Sequence, residues 1–136
     1  MKNKKLLLII LTLSLLLTAC SGNAPAKAAE AWMQAIATSD GVAALALTCD
    51  AYKPAVQEMG FLMGGINMLT EGMLSDIEVD TSGLEFETIS KSGNQAVVSV
   101  SGSIIQGMMG MAMEQPINAT VNMLKEDGDW KYCGDR

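Results

Sequence analysis

The sequence predicts an α+β domain in which N-terminal helices pack on a curved antiparallel meander sheet. Three observations carry that prediction. Apolar residues recur at helical spacing from Ala28 to about Leu69, and from Asp76 the period changes to two. The turn signals Lys91-Ser92-Gly93-Asn94 and Asp127-Gly128 separate consecutive strand segments, and connections this short join antiparallel neighbours. Serines 99, 101 and 103 alternate with Val98, Val100, Gly102 and Ile104, so one sheet face is wet and the other can take helices.

The first helix is expected from about Pro25 to Thr38, with Ala28, Trp32, Ala35 and Ile36 at helical spacing and Trp32 toward the core. Ser39 or Asp40 caps a second, short helix through Val42, Leu45 and Ala46, ending near Cys49. Asp50 reads as the next N-cap, with Pro54 tolerated in the first turn of a third helix. That helix presents Val56, Met59, Met63, Ile66 and Leu69 or Thr70. Gly64-Gly65 inside it cost about 1 kcal/mol each relative to alanine, which suggests a kink or break.

Ile77 and Val79 then form a short strand, and Leu84, Phe86 and Thr88 share one face of another. In the long strand that follows, Gly102 suits a bulge or bend. The segment Ile117 to Met123 alternates, with Ile117, Ala119, Val121 and Met123 inward. Asp127-Gly128 is a hairpin turn into a last strand carrying Trp130 and Tyr132.

Residues 1–19 read as a signal peptide. Lys2, Lys4 and Lys5 form a basic region, Leu6 to Leu17 is an apolar run too short to span a bilayer, and small residues lead to Cys20. Leu17-Thr18-Ala19-Cys20 resembles the bacterial lipobox, which implies diacylglyceryl attachment to Cys20 and an extracytoplasmic location on the cell membrane or outer membrane. Residues 20–27, the lipidated cysteine and the small polar stretch after it, read as a tether, and residues 28–136 as one α+β domain.

Removing 19 of 136 residues leaves 117, enough for one core. The leader takes three of nine basic residues and none of fifteen acidic ones, so the mature chain carries six against fifteen, a net charge of −9. That charge argues against nucleic-acid partners and keeps the domain soluble. With Cys20 committed to lipid, Cys49 and Cys133 remain as an even pair in an oxidising compartment, and a disulfide between them is expected to tie the helices to the last strand.

An N-terminal helix, the phrase SDGVAALALTCD and a meander closing on KEDGDWKYC resemble the cystatin-like cone of the nuclear transport factor two superfamily. The resemblance implies a pocket between sheet and helices, often occupied by small apolar molecules. Enzymatic members place histidine and acidic side chains there, and this chain has no histidine.

Without histidine there is no Ser-His-Asp or Cys-His pairing. The glycines of residues 60–65 lack the Lys-Ser/Thr of a phosphate loop, and zinc lacks a ligand set. Asp76, Glu78 and Asp80 alternate as calcium ligands could, but read first as a solvated edge, and Glu85 and Glu87 should point to water. No enzyme activity and no cofactor are expected.

Methionine is the anomaly, with ten left in the mature chain. Met59, Met63, Met68 and Met73 cluster on the third helix, and Met108, Met109, Met111 and Met113 form a second group. If the second group is extended, period two puts Met109, Met111 and Met113 on one face as soft ligands that suit Cu(I). Facing inward, such residues would instead fill irregular core space or line a pocket. The leading expectation is a lipid-anchored, non-enzymatic module binding an apolar small molecule or an envelope partner protein. Trp32, Met59, Met63, Met109, Met111 and Val121 would line its cavity. The alternatives are a Cu(I) carrier using Met109, Met111 and Met113, and a ligand-free structural envelope lipoprotein.

Overall fold

The computed structural model describes residues 23–60, 78–108 and 110–135. Helix α1 spans Ala24–Ala37 and α2 spans Gly41–Ala46; a third helix, α3, occupies residues 53–60. Five strands follow: β1 (Glu78–Asp80), β2 (Leu84–Ser92), β3 (Gln95–Met108), β4 (Met111–Glu126) and β5 (Asp129–Asp135). All pair antiparallel in one curled sheet, and the helices pack on its inner face, as the change of period predicts.

Helix α1 starts within the stretch that composition assigns to the tether. Pro25 fits its first turn, where a missing N–H costs nothing, and Pro25 and Ala26 are already buried. The buried stripe is Ala26, Ala29, Trp32 and Ala35. Ile36, expected in the core, is 40 % exposed, because the small residues at 26, 29 and 35 set the face that approaches the sheet. Asp40 is the N-cap of α2, its carboxylate accepting from the Ala43 N–H at 3.0 Å. Asp50, expected as the cap of the third helix, lies three residues before its first helical residue, and its carboxylate instead accepts from Lys53 Nζ. Gly64-Gly65, Ile66, Leu69, Thr70, Asp76 and Ile77 lie outside the described residues.

β1 and β2 are one interrupted strand along one edge of β3. Asp80 pairs with Ile105 and Leu84 with Gly102, so three residues on one side oppose two on the other, a one-residue bulge. A second bulge falls at Ile89, between Thr88 and Ser90, and a third irregularity separates Val121 from Met123 on the β4–β5 pairing. Bulges bend and over-twist the strands that carry them, and these three account for the curl.

The core lies between α1 and the proximal inner face, formed by Val98, Val100, Val121, Met123, Trp130 and Tyr132 with Trp32 against them. The wet face carries the serines, with Ser101 exposed and Ser99 and Ser103 half-buried. Asp127 (φ 53°) and Gly128 (φ 89°) make the two-residue β4–β5 turn that their sequence predicts.

The segment after α2 is stitched to β5. The Tyr132 N–H donates to the Leu47 carbonyl and the Cys49 N–H to the Tyr132 carbonyl, both at 2.8 Å, and Cys49 forms a disulfide with Cys133. This parallel bridge occupies an outer edge that would otherwise present unpaired backbone groups.

Candidate functional site

The disulfide anchors a packed cluster around Trp32. The indole lies on the Tyr132 ring, centroids 3.7 Å apart, and Tyr52 meets Tyr132 edge-on. Indole Nε1 donates to Thr48 Oγ1 at 3.0 Å, and that hydroxyl donates to the Ala44 carbonyl at 2.6 Å. Thr48 is fully buried, and leaving either partner unmet would cost about 1–3 kcal/mol. Trp32 and Val121, both expected in a ligand pocket, are thus members of the core.

Tyr132 is 3 % exposed, and its hydroxyl donates to Asp135 Oδ1 at 2.8 Å. Burial first, and then that bond, hold the phenol well above its ordinary value of 10.0. The unfolded chain therefore releases a proton near pH 10 that the folded chain keeps. The stabilisation is complete below pH 10 and is lost as pH rises beyond it. We expect unfolding free energy, measured in urea across pH 8.5–11.5, to decline above about pH 10, and Tyr132→Phe to flatten that decline.

The second methionine group folds differently from its expected extended form. Met108 pairs with Met111, and Gly110 adopts φ 77°, so the chain reverses as a tight β3–β4 hairpin. The premise of one strand running from Met109 to Met113 therefore fails. Met109 lies outside the described residues, as do Met63, Met68, Met73 and Cys20. Met111 and Met113 do share one face of β4, and they are 65 % and 54 % exposed.

That face is the inner one. Residues two apart on a strand, and residues directly paired across strands, share a side of the sheet. Met111 and Met113 therefore continue the row that holds buried Val121 and Met123. Gln115 and Ala119, the latter expected inward, lie in the same row and are exposed, while Ile117 between them is half-buried against the core. Ile104 and Val79 bring partly buried apolar surface to this side from β3 and β1. Met59, on α3, is 50 % exposed.

The edge beside this row is blunted. The Lys125 N–H donates to Asn94, and the β3–β4 register runs without a shift. Odd-numbered β4 residues thus turn their backbone groups toward β3, and even-numbered ones away. β5 covers the far side only over Val121–Glu126. Along the remainder of that edge Pro116 offers no N–H, which disfavours addition of another strand.

A separate groove of about 380 Å³ opens between the start of α1 and the β4–β5 turn, lined by Ala24, Ala28, Leu47, Asp129, Trp130 and Lys131 among others. Lys91 Nζ lies 5.7 Å from the Trp130 ring centroid. Of the residues expected to line a pocket, Trp32, Met59, Met111 and Val121 are described, and none of these four borders this groove. The sequence places Trp130 only on the last strand, because no local pattern reveals that the start of α1 lies beside the last hairpin.

Among the described residues no three His, Cys, Asp or Glu side chains group to hold a metal ion, and Glu78, Asp80, Glu85 and Glu87 are all exposed. Among them, too, no helix is long and apolar enough to cross a membrane. The chain matches no protein-family model, and no curated protein matches it.

Proposed function

We propose that this chain is a lipid-anchored, extracytoplasmic, non-enzymatic module that binds an apolar small molecule or a partner protein on the distal part of its inner sheet face. The observation that supports this reading is the pair Met111 and Met113, which lie in the row of the buried core yet are more than half exposed. Flexible, polarizable thioethers adapt to varied apolar surfaces, and a blunted edge leaves the contact to them.

Native mass spectrometry of the mature chain purified from membranes tests the reading. The expected result is a co-purifying small-molecule adduct or protein that is lost in a Met111→Lys/Met113→Lys variant. A bare chain in both forms would overturn it in favour of a structural envelope role. The adjacent thioethers also favour Cu(I) as a second reading. Leucine at 109, 111 and 113 should abolish copper binding while sparing an apolar ligand.

The anchor is checked separately. Cys20→Ser is expected to leave the chain unprocessed and without acyl mass, read by intact-mass spectrometry. Unchanged lipidation in that variant would overturn the anchor.

A further inference from the structure

We propose that Met111 and Met113 are a paired sulfoxidation site, open to two-electron oxidation by a peroxide while the core methionine of the same row is protected. The fold sorts the thioethers of β4 by position alone. Met111 and Met113 are 65 % and 54 % exposed on the distal hairpin, and Met123, further along the same face, is 2 % exposed under α1. Susceptibility of a thioether follows its access to the oxidant.

The step balances without any other group. A sulfur lone pair attacks one peroxide oxygen, the S–O bond forms as the O–O bond breaks, and the leaving hydroxide takes the remaining proton as water. Sulfur loses two electrons and the peroxide gains them. The sulfoxide is polar where the thioether was apolar. At Met123 that change would place an unmatched polar oxygen in the core. At Met111 and Met113 it alters only the exposed end of the inner face, so surface character changes while the fold stands. A loss of apolar binding on oxidation follows from this, and that consequence alone rests on the binding reading above.

Hydrogen peroxide treatment of the folded mature chain, followed by peptide mapping over time, tests the site. Met59, 50 % exposed on a helix, and Met123 serve as open and closed references. The expected result is oxidation of Met111 and Met113 at rates close to that of Met59 and at least about tenfold faster than Met123, with the circular dichroism spectrum unchanged. Rates at Met111 and Met113 that match Met123 would overturn the proposal, as would oxidation that begins only when the spectrum shows unfolding. Neither result depends on whether a ligand is found, so failure here and failure of the binding reading are separable.

Discussion

Replacing Cys49 and Cys133 together by alanine is expected to destabilise the domain by about 4–5 kcal/mol. The bond closes a loop of sequence separation 84, which holds strands β1 to β4 and leaves α1 and α2 outside it. Its main effect is to restrict the unfolded ensemble, and that effect grows with the logarithm of loop length. Alanine is the informative replacement, because Cys49 is fully buried and serine would bury an additional hydroxyl. Small domains have only about 5–15 kcal/mol in total, so the variant should sit close to the unfolding threshold at body temperature. Urea unfolding checks this: with a slope of about 1–3 kcal/mol per molar, the midpoint should fall by roughly 2 M. A shift below about 1 kcal/mol would mean that the backbone bonds joining Leu47 and Cys49 to Tyr132 hold the strap without the covalent link.

Gly102→Val is expected to cost at least about 3 kcal/mol and to leave much of the chain insoluble. Gly102 has φ 121°, a conformation that β-branched residues avoid. A Cβ there would lie 2.1 Å from the Gly83 carbonyl oxygen and 3.2 Å from the Leu84 Cα, both backbone atoms that cannot swing away. This is where β3 changes partner from β2 to β1, so the clash falls on the bulge that curls the sheet. Gly107→Ala is the matched control: its Cβ would meet Glu78 at 3.8 Å, an ordinary contact, and we expect a change within about 0.5 kcal/mol. Thermal melts of the two variants against the parent separate them. Similar melting points would mean that Gly102 is chosen for something other than close backbone approach.

The sequence by itself determined the features governed by neighbours along the chain. The period of the apolar residues set helices before strands, Ser39-Asp40 marked the start of α2, and Asp127-Gly128 set the last turn because so few residues accept its left-handed backbone. The Cys49–Cys133 pairing was legible only through the expectation that Cys20 is set aside for lipid, since the remaining pair allows one connectivity. Gly102 signalled a bend, though not the carbonyl it meets. Only the tertiary structure decided which parts of an apolar face are covered. The row from Met111 to Met123 continues one face of β4 throughout, yet chemically equivalent positions end as core at Met123 and as surface at Met113. Burial depends on what arrives from distant sequence, and period two cannot report it. The same limit hid the reversal at Gly110, where glycine and methionine are also compatible with an unbroken strand. It hid the stacking of Trp32 on Tyr132 as well, a contact set by how closely the alanine face of α1 approaches the sheet.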